Sequence, residues 1–303
     1  MLAGRRENAD AMDDRSAKLR AFFARFVAER GGAADPRVEA AFAAVPREPF
    51  AGPPPWSILA GGQRGGQGPG YVRAPDDDPA FLYQDVLVAL DPERGINIGE
   101  PSLHARCLDA LALREGETVL HVGAGSGYYT AILARLVGPA GRVHAFEIDH
   151  GLAARAARNL SGLPWVEVRA RSGVADGLPE ADAVYVNAGI TQPSRAWLDA
   201  LRPGGRLLFP LQPEGGYGGM LLAEKPRAGG GAAWPARFVS RASFIACQGR
   251  QDEEAGRGLL AAFARGDWQA VRSLRLGGTP DATCWFEGEG WWLSTGEAAP
   301  PGA

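Results

Sequence analysis

The chain has 303 residues, of which 46% are hydrophobic and 22% charged, and its formal net charge at pH 7 is −3. This length allows one large domain or two small ones with a full-sized core. The slight negative charge argues against a nucleic-acid partner, because backbone phosphates require a basic face, and no apolar run is long enough to span a membrane.

The N-terminal third predicts a disordered start, 1–14, followed by a helical and loop cap over 15–100. Apolar residues recur at helical spacing from Leu19 to Val27, and a glycine pair ends that pattern. A second short helix is predicted over 36–45. The segment 52–70 is rich in Gly and Pro and is expected to be a long loop.

Apolar runs and helical patterns then alternate between residues 101 and 247. A helix with proline in its first turn begins at Pro101, and the strand Val119–Val122, a helix from Tyr128 and the strand Val143–Phe146 follow it. Such alternation is typical of a parallel sheet that helices cover on both faces. The sequence therefore predicts a Rossmann-like, doubly wound α/β fold with a mostly parallel seven-stranded sheet.

Beyond this core, residues 248–297 predict a small C-terminal extension, and residues 298–303 a disordered tail. Helical spacing continues over 252–275, and aromatic residues between Cys284 and Leu293 fit a small hairpin. We expect these aromatic side chains to pack against the core rather than to bind a ligand.

The most informative segment is the glycine-rich turn that follows the strand Val119–Val122. Gly123, Gly125 and Gly127 allow a sharp turn and a close approach of backbone to ligand, which a Cβ would block. A dinucleotide fold requires the spacing G-x-G-x-x-G, but Tyr128 occupies the position of the third glycine. The turn therefore argues against NAD(P) and favours a cofactor without phosphate, such as S-adenosyl-L-methionine.

Glu147 supports the same interpretation. It ends the apolar run Val143–Phe146, where a carboxylate can accept hydrogen bonds from two ribose hydroxyls. Turn, following helix and spaced acid occur together, which is typical of a nucleoside-binding site rather than of an empty turn.

The chain resembles the protein-L-isoaspartate O-methyltransferase family, within the class I S-adenosylmethionine-dependent methyltransferases. The resemblance runs from about Leu19 to Cys247. It is carried by these segments: Val-Pro-Arg-Glu-Pro-Phe at 45–50, Ile-Gly-Glu-Pro-Ser-Leu-His-Ala at 98–105, 119–130 with Glu147, 182–186 and 201–207.

This resemblance implies a cofactor, S-adenosyl-L-methionine, and a set of residues around it. The residues implied are Gly123, Gly125, Ser126 and Gly127 at the methionine part, Glu147 at the ribose, Ile148 on the adenine, and Ser172 with Gly173 at the adenine edge. It also implies a protein or peptide acceptor that carries a carboxylate. The acceptor-binding candidates are Gly99, Glu100, Ser102, His104 and Asn187.

Three positions depart from the family pattern. Gly99 replaces the characteristic serine, Glu100 replaces a small residue, and Ser172 replaces the aspartate of an Asp-Gly pair. Glu100 would repel an acceptor carboxylate unless its side chain turns outward or meets a cation. Cofactor binding is therefore expected, whereas the departures at Gly99 and Glu100 favour a specialised acceptor over isoaspartyl repair, the family default.

No catalytic residue is assigned, because a carboxylate with a pKa near ~4 is ionised at pH 7 and needs no general base. No metal is expected either, since the three cysteines and four histidines lack ligand spacing. The beginning of the chain lacks a signal-peptide pattern, and few cysteines fit a reducing cytoplasm, so we expect a cytoplasmic protein.

The leading hypothesis is thus carboxyl O-methylation of a protein or peptide aspartyl or isoaspartyl group. The alternatives are a nucleic-acid or small-molecule methyltransferase and a non-catalytic module that retains the fold. The sequence leaves the oligomeric state open.

Overall fold

The computed structural model describes residues 2–59, 70–213, 216–227, 231–248 and 252–298. Nearly all of the tail predicted to be disordered, 298–303, lies outside these ranges. The helices are α1 Leu2–Gly31, α2 Pro36–Ala44, α3 Glu48–Ala51, α4 Pro101–Leu111, α5 Tyr128–Val137, α6 His150–Asn159, α7 Arg195–Ala200 and α8 Glu253–Arg265.

The fourteen strands of the described chain form two separate sheets. A four-stranded sheet comprises β1 Ser57–Leu59, β2 Val72–Arg73, β3 Leu87–Asp91 and β4 Ile96–Ile98. A ten-stranded sheet comprises β5 Thr118–Val122, β6 Arg142–Phe146, β7 Val166–Arg169, β8 Ala181–Val186, β9 Leu201–Leu211, β10 Gly218–Glu224, β11 Ala233–Ala242, β12 Ser273–Leu276, β13 Cys284–Gly288 and β14 Trp291–Ser294.

The N-terminal part differs from its prediction in two respects. Helix α1 already begins at Leu2, so the described part of this segment, 2–14, is helical. The cap over 15–100 also contains the antiparallel sheet β2-β1-β3-β4, in addition to helices and loops. Its strands are only two to five residues long, which is too short for a clear alternation of apolar and polar positions.

The large sheet has the strand order β13-β14-β12-β11-β10-β9-β8-β5-β6-β7. The strands β7, β6, β5, β8 and β9 are parallel, whereas every pair from β9 to β13 is antiparallel. The predicted seven strands are present as one block, β7 to β11, but the sheet is mixed and has ten strands. The C-terminal extension adds three strands to the edge of β11, and the sheet is mixed because β10 is antiparallel to both β9 and β11.

Helices cover both faces of this sheet, as predicted. Successive residues of β5 point to opposite faces: Val119 contributes to the core beneath α4 and α5, and Leu120 to the core beneath α7 and α8. Within the described ranges, no helix is both long and apolar enough to cross a bilayer.

The C-terminal extension packs as part of the same body. Phe238 of β11, Phe263 of α8 and Trp285 of β13 contact each other edge to face, with ring centroids 5.1 to 5.5 Å apart. Trp285, one of the aromatic residues between Cys284 and Leu293, packs in the core as the sequence predicted. The predicted domain boundary near residue 247 therefore divides strands of one continuous sheet.

Candidate functional site

A cleft of about 1160 Å³ lies where the parallel strands β5, β6 and β8 end. This carboxyl edge is where open α/β sheets usually bind ligands. Its opposite wall comes from the four-stranded sheet, through Leu59, Tyr71, Leu87 and the segment 96–98. The cleft is therefore formed between the α/β core and the N-terminal cap.

The turn after β5 requires glycine at its first two motif positions. Gly123 has a φ of 79° and Gly125 a φ of 57°, a left-handed conformation that other residues rarely adopt. A Cβ on Gly123 would also lie 3.2 Å from the backbone oxygen of Asn187. Both glycines line the cleft, so they allow a ligand to approach the backbone closely.

Gly127 has different surroundings from those of Gly123 and Gly125. Its φ is 95°, and a Cβ there would lie 2.9 Å from Cδ1 of Leu160, which follows α6. Gly127 is not among the residues that line the cleft. The third glycine therefore allows α5 to pack against α6, and its contact with the cofactor stays a prediction.

Glu147 lies in the cleft with only 8% of its surface exposed. Its Oε2 accepts a hydrogen bond from the Gly125 N–H at 2.7 Å, and its Oε1 accepts one from the Asp149 N–H at 2.9 Å. Burial raises the pKa of Glu147 above its ordinary value of 4.5, although these two donors oppose the shift. A carboxylate has about four lone-pair sites, so both oxygens retain capacity for ribose hydroxyls.

Three further predicted residues line the same end of the cleft. These are Ile148, which is 45% exposed, Ser172 and Gly173. A Cβ on Gly173 would lie 2.8 Å from both Cγ atoms of Val122, so only glycine fits against β5. On the described chain, the buried hydroxyl of Ser126 has no hydrogen-bond partner, although Ser126 lines the cleft.

The predicted acceptor residues gather at the other end, where β4 meets α4. Gly99, Glu100, Ser102 and His104 all line the cleft. The backbone N–H of Ser102 already donates to Oδ1 of Asp85 at 2.8 Å, so it is not free for an acceptor.

Glu100 lines this end of the cleft and remains accessible to solvent. The residue is exposed, and the Ser102 hydroxyl donates to its Oε1 at 3.3 Å. Partial burial of the carboxylate and the nearby Asp85 raise its pKa, while Arg30 opposes the shift. Arg30 itself pairs with Asp85 at 2.6 Å, so a cation lies close to this acidic pair.

A buried histidine orients the side chain of Asn187. Its Nδ2 donates to Nε2 of His121 at 2.8 Å, and Nδ1 of His121 lies 2.8 Å from Oγ1 of Thr130. Burial lowers the pKa of His121 to about 3, so the ring is neutral. Among the described residues, Oδ1 of Asn187 has no hydrogen-bond partner, and Asn187 lines the cleft.

Comparison with known proteins identifies the family of the chain. The model of the protein-L-isoaspartate(D-aspartate) O-methyltransferase family matches residues 74–231, more than half of the chain. The chain belongs to this family. Its members use S-adenosyl-L-methionine as methyl donor, and the chain is therefore an S-adenosylmethionine-dependent methyltransferase.

Curated relatives agree with the family match. The protein-L-isoaspartate O-methyltransferase of Ignicoccus hospitalis is 34% identical over 153 residues, which are 49% of this chain and 72% of the relative. The enzyme named so in Methylorubrum populi is 40% identical over 48% of this chain and 66% of its own length. Protein-L-isoaspartate O-methyltransferase 2 of an Anaeromyxobacter species is 36% identical over 61% of this chain and 66% of its own length.

Solved structures show the same fold. A protein-L-isoaspartate O-methyltransferase superposes with a TM-score of 0.57 and 22% identity over 79% of this chain and 68% of its own. A putative one from Plasmodium falciparum, in complex with S-adenosyl-L-homocysteine, has a TM-score of 0.56 and 18% identity over 75% of this chain and 97% of its own.

The cleft of this methyltransferase fits the cofactor of its family. Gly123 and Gly125 leave room for a ligand against the backbone, and Glu147 has unused acceptor sites. The orphaned hydroxyl of Ser126 and the exposed apolar surface of Ile148 lie in the same cleft. Polar groups and apolar surface are thus both available for a nucleoside and its amino-acid part.

Two residues of this methyltransferase site carry no signal in the sequence. Asp85 caps α4 from 17 positions earlier in the chain, and Tyr129 donates its hydroxyl hydrogen to the backbone oxygen of Gly99 at 2.6 Å. Both contacts depend on the packing of the cap against the core.

Proposed function

We propose that the chain transfers the methyl group of S-adenosyl-L-methionine to a carboxylate of a protein or peptide, with an isoaspartyl group as the acceptor to test first. The observation that carries the proposal is Glu147, a buried carboxylate with free acceptor sites, at one end of a cleft that continues to Gly99. A cleft of about 1160 Å³ has room for a cofactor and part of a peptide.

The chain's own residues bind and align the two reactants. Bound S-adenosyl-L-methionine supplies a methyl group that its sulfonium already activates. Glu147 and the turn at Gly123–Gly125 would hold the donor, and the end of β4 would hold the acceptor, so that transfer depends on in-line alignment. An ionised carboxylate needs no proton removed, which suits a site whose buried histidines are neutral.

The isoaspartyl acceptor is supported by the names of the relatives and opposed by one departure. Gly99 offers no hydroxyl at the position where the family pattern has serine. The alternative to an isoaspartyl acceptor is therefore a dedicated one, namely another carboxylate on a peptide. We also propose the cytoplasmic location that the sequence predicts.

The test is methylation of an isoaspartyl peptide with radiolabelled S-adenosyl-L-methionine, with the matched aspartyl peptide as control. We expect label on the isoaspartyl peptide that is released by mild base, because methyl esters hydrolyse and methylamines do not. Label that resists base, or that appears on nucleic acid, would contradict carboxyl methylation. Failure to bind S-adenosyl-L-homocysteine in a titration would instead favour a non-catalytic module.

A further inference from the structure

We propose that Gln212 is a positioning residue, whose side-chain amide holds the segment 243–247 in place as a wall of the cleft. The inference rests on the proposed function, because it assigns to this wall an effect on the binding of the acceptor. Gln212 itself does not line the cleft, so it acts through the segment that does.

The segment 243–247 follows β11, and each of its residues lines the cleft. The ring of Phe244 meets the imidazole of His104 edge to face, with centroids 5.9 Å apart, and the neighbouring Ile245 is 45% exposed. The segment belongs neither to a helix nor to one of the strands named above. Its position therefore depends on individual hydrogen bonds to the core.

The side chain of Gln212 pairs with the backbone of Phe244 as another peptide unit would. Its Nε2 donates to the Phe244 oxygen at 2.8 Å, and its Oε1 accepts from the Phe244 N–H at 2.8 Å. Gln212 directly follows β9 and is only 1% exposed, so water competes little for these bonds. The pair requires an amide, since one atom must donate while the other accepts.

Gly189 provides the space in which this amide lies, and its backbone binds the rest of the segment. A Cβ on Gly189 would overlap with Cδ and Nε2 of Gln212. The N–H of Gly189 donates to the oxygen of Ile245 at 2.8 Å, and its oxygen accepts from the N–H of Cys247 at 2.8 Å. Gly189 and Gln212 come after β8 and β9, so two neighbouring strands hold the segment together.

Removal of the amide would affect one end of the cleft only. The N–H and the oxygen of Phe244 would lose these partners, and its ring would no longer be fixed against His104. Glu147, at the cofactor end, is held by two backbone N–H groups, and Gln212 takes no part in those hydrogen bonds. Gln212 therefore controls the affinity for the acceptor without changing that for the cofactor.

The first experiment measures the attachment of the segment directly, by hydrogen exchange of backbone amides followed by NMR. In Gln212→Ala we expect the Phe244 N–H to exchange at least about tenfold faster than in wild type, because its acceptor is removed. Amides of β5 report any general loss of stability, and they should accelerate less. Equal acceleration of Phe244 and β5, or unchanged exchange at Phe244, would overturn the inference.

The second experiment separates positioning from folding by kinetics. Gln212→Ala is expected to raise KM for the isoaspartyl peptide about tenfold, since two hydrogen bonds of the wall are lost. Affinity for S-adenosyl-L-homocysteine should stay within about twofold of wild type. Gln269→Ala is the matched control, because Gln269 is exposed and does not line the cleft, and it should leave both values unchanged. Equal losses for acceptor and cofactor in Gln212→Ala would mean that Gln212 is only structural.

The third experiment, Gln212→Glu, keeps the size of the side chain and tests its donor. An ionised carboxylate repels the Phe244 oxygen, whereas a protonated one donates to it as the amide does. Burial raises the pKa of a carboxyl group, so at saturating cofactor we expect the ratio of variant to wild-type KM to fall about fivefold from pH 8 to pH 5.5. Gly189, Gly218 and Phe244, which pack against this side chain, do not titrate. A ratio that is independent of pH would contradict the donor role.

The fourth experiment measures the coupling between Gly189 and Gln212. Gly189→Ala alone should raise KM for the acceptor, because its Cβ displaces the amide. In the Gln212→Ala background the added methyl group has space, so its further effect should stay below about twofold. Independent, additive effects would refute the inference. A wild type that esterifies no carboxylate would instead refute the proposed function, and exchange at Phe244 would still decide whether Gln212 holds the segment.

Discussion

Glu147 combines burial with charge, and both properties follow from its place after β6. The carboxylate is nearly removed from solvent, and two backbone N–H groups of the surrounding turns compensate only part of the lost hydration. Ribose hydroxyls would supply further donors. A charged acceptor in a poorly hydrated site makes stronger hydrogen bonds than the same group in water.

We therefore expect Glu147→Gln to weaken binding of S-adenosyl-L-homocysteine by about 10-fold or more, since hydrogen bonds to charged groups contribute roughly 1.5–3 kcal/mol. Isothermal titration at pH 7.5 measures this change. Glu180→Gln is the matched control, because the side chain of Glu180 is 80% exposed and does not line the cleft. Equal affinity of wild type and Glu147→Gln would remove the ribose assignment.

The pH dependence of cofactor binding should have the same origin. Because burial raises the pKa of Glu147 above 4.5, this carboxylate gains its proton at a higher pH than an exposed glutamate does. Affinity that depends on the ionised form is present above the raised pKa and is lost as the pH falls through it. Titrations from pH 7.5 down to 5 should show weakening in wild type and a flatter response in Glu147→Gln.

Among the elements, the loop before β3 is positioned by one buried cation. The guanidinium of Arg47, fully buried before α3, donates to the carbonyls of Leu82 and Gln84 at 2.6 and 3.1 Å. It also lies over the rings of Phe23 and Tyr128. Asp85, which caps α4 at the acceptor end of the cleft, belongs to the same loop.

Arg47→Met should destabilise the fold by about 3 kcal/mol, because the buried carbonyls would lose their donors. Urea unfolding followed by circular dichroism measures the difference in free energy of unfolding. Arg25→Met serves as control, since Arg25 is exposed on α1 and should change stability by less than about 0.5 kcal/mol. A loss below 1 kcal/mol at Arg47 would contradict the assigned role.

The sequence pattern predicted those elements whose conformation depends only on residues close to them in the chain. The strand, glycine turn and helix around Gly123 and Gly125 were confirmed because their conformation is set within a few residues. The packing function of Gly127 was not predictable, because it depends on Leu160, which is distant in sequence. Asp85 was missed for the same reason. Contacts between separate segments leave no periodic pattern in the chain.

On the scale of the whole molecule, the ten-stranded sheet joins the C-terminal extension to the core. Strand β12 pairs with β11 on one side and with β14 on the other. The side chains of Phe238, Phe263 and Trp285 contact each other and thereby connect α8 to this sheet. The sequence predicted an appended hairpin; that its strands continue the main sheet depends on pairing over long distances, which no motif encodes.

Trp285→Ala should therefore destabilise the entire protein, by about 3–5 kcal/mol, and not the extension alone. Fluorescence and far-ultraviolet circular dichroism should report one coincident unfolding transition in wild type and in the variant. Trp56, buried in the N-terminal cap, provides a fluorescent probe away from the extension. Two separated transitions would show that the extension folds independently.

Four buried aromatic side chains near the cleft determine how the activity of the enzyme depends on pH. Burial lowers the pKa values of His104 and His121, so these rings become protonated only well below neutrality, and it raises the pKa values of Tyr129 and Tyr185 well above 10. None of these four side chains changes its protonation state near physiological pH. Turnover at saturating substrates should accordingly be flat from pH 7 to 9, and a bell-shaped profile would reveal a base elsewhere. Such an enzyme would keep a constant output while the acidity around it drifts.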